Sequence, residues 1–121
     1  RTFPIFINYD KQDDISDTTK YEDHFVAENR LIAISKSGRS MDSEDVQNFL
    51  KEAERGIDVQ LFVRKNKDDK ISKEFYYLGR VIATGNAKQF VMPNTDKTAV
   101  EIEWELETPV REDIYQYIVN E

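Results

Sequence analysis

Cysteine is absent from these 121 residues, which removes disulfides, thiolate metal sites and cysteine nucleophiles together and fits a reducing compartment. No stretch approaches the apolar length that crosses a bilayer, and the N-terminus lacks a signal-peptide pattern, so we expect a cytoplasmic protein with no membrane partner. Glycine is scarce at four residues. Gly38 stands alone, without the GxxxxGK spacing of a phosphate loop, and Ser35, Ser37 and Ser40 have neither an adjacent base nor a GxSxG elbow. Nucleotide hydrolysis and serine-hydrolase chemistry therefore have no sequence support. Histidine occurs once, as His24 in "KYEDHF", and a single histidine beside Glu22 and Asp23 is a poor metal set and a base without partners. We expect no catalytic residue, no metal and no cofactor.

Positive charge is in short supply too. Seventeen Lys and Arg stand against 24 Asp and Glu, a net charge of -7, which on average repels nucleic acid. A nucleic-acid role then requires the basic groups to be segregated. The stretch from Asn29 to Met41 has no acidic residue and contains Arg30, Lys36 and Arg39; a second basic island comprises Arg64, Lys65, Lys67, Lys70 and Lys73, diluted by Asp68 and Asp69.

What the chain does have is apolar and aromatic substance: 39% hydrophobic residues, with seven Phe and six Tyr, enough for one folded domain and too little length for two. A start at Arg1 leads us to expect a piece of a longer protein. "FPIFINYD" alternates with period two and reads as a strand, which Pro4 assigns to an edge or a strand start. "KQDDISDTTKYEDHF" reads as a long polar surface loop, and "FVAENRLIAIS" as extended structure turning at Asn29. Val46, Phe49, Leu50 and Ala53 follow helical spacing, with Ser40 or Asp42 as the cap and Gly56 as the stop. Strands follow at "IDVQLFVRK", "KEFYYLGRVIATG" and "KQFVMP", the first two joined by a charged hairpin. "AVEIEWELE" sets Val100, Ile102, Trp104 and Leu106 against a ladder of Glu101, Glu103, Glu105 and Glu107 that should face water. "TPVREDIYQYIVNE" reads as a short terminal helix capped by Thr108 with Pro109 at its first position. The order predicts an α+β fold: a curved, mostly antiparallel sheet or partly closed barrel with one central helix and a short C-terminal helix.

Two stretches can touch a ligand. In "ISKSGRSMDSED" the start of the central helix brings unpaired backbone N–H groups to Ser35, Lys36, Ser37, Arg39 and Ser40, a cradle for a phosphate; the competing reading is an ordinary capped helix with solvated cations. In "FYYLG" Tyr76 and Tyr77 point to opposite faces of a strand, so one belongs to the core while the other can stack on an unpaired base. Tyr21 and Tyr9, flanking the polar loop, are further stacking candidates.

"FPIFINYDKQDDISDTTKYEDHF", "ISKSGRSMDSEDVQ", "IDVQLFVRKNKDD", "KEFYYLGRV" and "LETPVREDIYQYI" together resemble, in this order and over nearly the whole chain, the uncharacterised C-terminal domain of bacterial DEAD/DEAH-box helicases, often found behind a phospholipase-D-type nuclease domain. The chain departs from that family at Ala33, where an aromatic is common. The resemblance implies that residues 1–121 are one non-catalytic accessory domain, the C-terminal piece of a helicase/nuclease protein connected with DNA defence or repair, with ATP hydrolysis and nuclease chemistry in upstream domains. The expected architecture also looks like the PUA-like class, whose members include readers of modified bases. Two functions follow as expectations: a DNA-reading module that grips a flipped base, or a protein-docking domain that holds the upstream helicase and nuclease domains through its acidic sheet face.

Overall fold

The structure is a computed structural model that describes residues 1–10, 22–67, 70–71, 74–93 and 95–120. Most of the polar loop, including Tyr21, lies outside the described residues. The strands are β1 (Thr2–Asp10), β2 (His24–Ala27), β3 (Arg30–Ile34), β4 (Asp58–Lys67), β5 (Lys70–Ile71), β6 (Tyr76–Val91) and β7 (Thr98–Leu106); the helices are α1 (Glu44–Leu50) and α2 (Glu112–Asn120). One sheet runs in the order β1-β4-β6-β7-β3-β2, with β5 paired to β4. Every described pairing is antiparallel except β1 with β4, which is parallel. The result is the α+β fold read from the sequence, a curved half-barrel with two short helices. Pro4 is tolerated because β1 ends the sheet order.

Alternation makes the core. Val59, Leu61 and Val63 of β4, Val81 of β6 and Leu31 of β3 have no exposed surface, and Val100, Ile102, Trp104 and Leu106 of β7 are buried beside them. The two helices cover opposite ends of this concave face. α1 packs at the Phe3 end of β1, where Phe49 meets the Phe3 and Trp104 rings edge-on. α2 packs at the Tyr9 end, where Tyr9 stacks on Phe25 and Phe25 meets Tyr115.

The boundaries differ from the sequence reading in three places. The central helix is shorter than its apolar spacing predicts: Ser43, not Ser40 or Asp42, is its cap residue, and residues 51–56 form turns that end at Gly56 with φ +65°. "KEFYYLGRVIATG" and "KQFVMP" form one bent strand rather than two. In it Thr84, Gly85 and Asn86 bulge opposite Glu103 alone, with Gly85 at φ +99°, and the bulge supplies the curvature. Finally, α2 begins at Glu112 rather than Pro109; the Val110 N–H donates to the Glu28 carbonyl and ties residue 110 to the β2–β3 turn.

Two ionisable groups enter the core. Lys65 continues the inward phase of β4 and is fully buried; its ammonium donates to the Tyr117 carbonyl in the last turn of α2, where the helix dipole favours a cation, and lies 4.7 Å from the Tyr117 ring centroid. Glu52, just beyond α1, is 3% exposed, and its Oε1 has no hydrogen-bond partner among the described residues. Burial pushes the Glu52 carboxyl above the ordinary range, with Arg80 pulling it back and Asp58 adding to the rise. The folded state therefore holds the proton more tightly than the unfolded chain. The Glu52 contribution to stability is full below about pH 4 and is lost as pH climbs through the raised folded value. Glu52→Gln is expected to stabilise the domain by about 1 kcal/mol at pH 7 and to change nothing at low pH. Thermal melts of both proteins across pH check this; equal midpoint differences at every pH would refute the buried, uncompensated carboxylate.

Candidate nucleic-acid interface

The chain from Ser35 to Ser43 is strapped to the sheet, and its serines do the strapping. Ser35 N–H donates to the Val100 carbonyl at 2.8 Å, the Val100 N–H donates to Ser35 Oγ at 2.9 Å, and that hydroxyl donates onward to the Lys36 carbonyl. Gly38, at φ +85°, donates its N–H to the Thr98 carbonyl, and Thr98 Oγ1 donates to the Arg39 carbonyl. Ser40 Oγ accepts from the Asp42 N–H, while the Ser40 N–H donates to Ser43 Oγ. Met41 N–H donates to Gln89 Oε1, and Gln47 of α1 donates to the Met41 carbonyl. Ser35 and Ser40 thus hold the loop's own backbone. Lys36 and Ser37 are its outward, exposed polar side chains.

Arg39 is committed to α1. Its Nε lies 2.7 Å from Asp45 Oδ2, and Asp45 Oδ1 accepts from the Val46 N–H. Burial works against the Asp45 charge, but the Arg39 and Val46 hydrogen bonds outweigh it and hold the carboxyl below its usual range. α1, with seven residues and two acids in its first turn, offers no cationic helix end of its own.

Beside this pair opens a cleft of about 180 Å³ between α1 and the ends of β1 and β3. Ile34, Phe49, Ile102 and Trp104 form apolar walls, Ala33 contributes only a methyl group, and Lys36 and Asp45 are the charged residues of the lining. An apolar cavity of about 150 Å³ accepts a benzene ring. This cleft therefore has the capacity for one flat ring, with Lys36 and the Arg39-bound carboxylate of Asp45 among its lining residues. A second hollow, of about 290 Å³, lies at the β6 bulge and is polar. Of its two carboxylates, Glu103 is already used: Asn86 Nδ2 and Thr84 Oγ1 donate to its Oε1 at 2.7 and 2.8 Å, and with nearby Arg30 they hold Glu103 below its usual range.

The tyrosines stand elsewhere. Tyr76 faces inward, half-buried, its ring edge-on to Tyr117 of α2 at 5.8 Å. Tyr77 faces outward, 61% exposed, beside Phe62, with its hydroxyl donating to Gln60. Gln89, which holds the loop, lies twelve positions further along β6 than Tyr77, on the order of 40 Å of strand. Ser35 and Lys36 line the cleft, Arg39 reaches it only through its bond to Asp45, and neither tyrosine joins them. Tyr9, the other loop-flanking candidate, is a core residue: its hydroxyl accepts the Phe25 N–H at 3.0 Å, and burial pushes its pKa up. His24 Nδ1 donates to the Glu22 carbonyl, and no cluster of metal-ligating side chains occurs among the described residues.

The acidic ladder faces outward but is largely neutralised. Arg30 lies 3.7 Å from Glu103 and 3.9 Å from Glu105, Arg80 lies 3.8 Å from Glu107, and Lys88 stands opposite Glu101 in register. The residues the sequence reading passed over are Phe49, Asp45 and Trp104 as cleft walls, and Phe6, Phe62 and Arg64 as outer-face neighbours of Tyr77.

Residues 1–118 match the family described as "Domain of unknown function (DUF3427)". No curated protein matches this sequence. Among solved structures the chain is similar to Arabidopsis thaliana SUVH6, crystallised in complex with SAM, with a TM-score of 0.52 and 11% identity. The similarity covers 91% of this chain and 19% of that one, so this chain spans about a fifth of SUVH6. At that identity the likeness is one of fold, and the curved half-barrel is consistent with the PUA-like class. No described helix is long and apolar enough to cross a membrane.

Proposed function

We propose that this chain, which belongs to the DUF3427 family, is a non-catalytic DNA-recognition module of a larger bacterial helicase/nuclease protein, and that it receives an extruded base in the cleft beside α1. The observation that carries this reading is the capacity and lining of that cleft: room for one ring, apolar walls that include the Phe49 and Trp104 rings, and Lys36 with ionised Asp45 at hand. Proteins that take a base out of the duplex hold it in such a way, between aromatic and apolar side chains and by its polar edge. Asp45, whose oxygens keep spare lone pairs beside the Arg39 and Val46 bonds, would accept from an exocyclic amino group, and exposed Lys36 would meet a flanking phosphate. The small Ala33 leaves the space open. The half-barrel fold supports the same reading by analogy with PUA-like readers. Docking to upstream helicase and nuclease domains through the acidic ladder is supported less well, because Glu103, Glu105 and Glu107 already have arginine neighbours.

Titration of the domain against plain and base-modified duplexes at low and moderate salt tests the proposal. Binding is expected to weaken with salt, and Lys36→Gln should reduce the log–log slope by about 0.9, the contribution of one phosphate contact. Ala33→Phe should fill the cleft and abolish any preference for a modified base while leaving the thermal midpoint within a few degrees. Absence of salt-sensitive binding to every duplex, or a modified-base preference that survives Ala33→Phe, would remove the cleft from the mechanism.

A further inference from the structure

The outer face of the sheet carries a row of rings that neither the core nor the cleft uses. Phe6 of β1 stacks on Phe62 of β4, centroids 4.9 Å apart and planes 21° apart; Phe62 lies 5.2 Å from Tyr77 of β6; and Phe75 meets Phe6 edge-on at 5.2 Å. The row crosses three neighbouring strands, β1, β4 and β6, at their hydrogen-bonded spacing. Phe6 and Tyr77 are 59% and 61% exposed, so their ring surfaces are open to solvent in place of the polar side chains that strand alternation puts on an outer face.

A guanidinium stands beside the Phe6 and Phe75 end of the row, and a carboxylate, Asp58, reaches the Tyr77 end through Gln60. Arg64 lies over the Phe75 ring at 4.6 Å, and its Nε donates to Asn8. Arg30, Arg39, Arg80 and Arg111 each have a carboxylate within ion-pair distance. Arg64 has none among the described residues. An anionic partner with flat π-faces fits this arrangement better than an apolar peptide, for which an uncompensated guanidinium would be a cost. Stacked aromatic side chains next to cations are the means by which unpaired nucleic acid is held without regard to sequence.

We propose that the Phe6, Phe62 and Tyr77 row, with Arg64, binds single-stranded nucleic acid by base stacking, as a second site on the face away from the cleft. This goes beyond the flipped-base reading and does not depend on it. The site takes unpaired bases in any sequence; the cleft takes one base from a duplex.

Fluorescence anisotropy with oligo-dT of about 12 nucleotides at low salt is the measurement. Tyr77→Leu and Phe62→Leu keep apolar bulk on the strand surface and remove the ring. Each is expected to weaken binding by roughly 5- to 100-fold, with the thermal midpoint confirming the fold. Arg64→Gln should reduce the salt slope by about 0.7. Ala33→Phe and Lys36→Gln, which address the cleft, should leave oligo-dT affinity unchanged, so the two sites fail or stand separately. No oligo-dT binding at low salt overturns the proposal, as does binding insensitive to Tyr77→Leu and Phe62→Leu. Concentration-dependent dimerisation lost in Tyr77→Leu, without oligo-dT binding, also overturns it and assigns the row to a second copy of the chain.

Discussion

Trp104→Ala is expected to destabilise the domain by about 4 kcal/mol, a large share of the roughly 5–15 kcal/mol that holds a domain of this size. The residue stands on β7 at the middle of the sheet and is 1% exposed. Leu31 of β3 is paired with it on one side and Ala83 of β6 on the other, and the small Ala83 leaves room for the indole. Above it Phe49 meets the ring edge-on at 5.5 Å. Truncation removes the largest fully buried side chain and opens a cavity in the floor of the cleft, which surrounding strands cannot collapse to fill because both neighbours are locked in register. Urea denaturation followed by circular dichroism gives the difference. A loss below about 2 kcal/mol would mean that the indole is not the centre of this core.

The feature that made Trp104 readable is the strict alternation of β7, and the same signal carried most of the fold. β4 alternates Val59, Leu61 and Val63 inward, and the period change at α1 separates helix from strand, so the α+β half-barrel followed from pattern alone. Two of the misread boundaries involve pairings between distant parts of the chain. Val110 pairs with Glu28, distant in sequence, and no local propensity reports that bond. The β6 bulge is similar: Gly85 hinted at an interruption, but only the pairing with β7 shows that Thr84 and Asn86 wrap around Glu103 and keep the strand continuous.

The site was less legible because its chemistry depends on which neighbours satisfy which groups. The sequence collects Ser35, Lys36, Ser37, Arg39 and Ser40 in one run, yet two of those hydroxyls are taken by loop backbone and the guanidinium by Asp45. Six residues separate Arg39 from its partner, across a turn whose course the sequence does not give. The outer aromatic row had a signal that could have been used. Phe6 in "FPIFINYD" and Phe62 in "IDVQLFVRK" both occupy the polar phase of their strands, and a phenylalanine out of phase on two strands is the mark of a shared outer face. The parallel register that sets Phe6 opposite Phe62 could not be known beforehand.

Phe49→Ala is expected to cost about 3 kcal/mol and to unseat α1. With seven residues, α1 is too short to persist by its own helix propensity, since isolated helices below about 12 residues are marginal in water. It is held by what it buries: Val46, 1% exposed, and the Phe49 ring wedged edge-on between Phe3 at 6.4 Å and Trp104 at 5.5 Å. Removing that ring leaves the helix attached by Val46, the partly buried Leu50 and the loop bonds, and takes one wall from the cleft. Because Phe49 and Trp104 touch, their losses overlap. The double variant should fall short of the sum of the single ones by about 1 kcal/mol, the worth of one edge-to-face contact beyond its buried area. Amide exchange at residues 44–50 provides the second readout, with protection in α1 falling in Phe49→Ala while β4 and β7 keep theirs. Additive losses, or unchanged protection across α1, would show that the helix rests on something other than this ring pair.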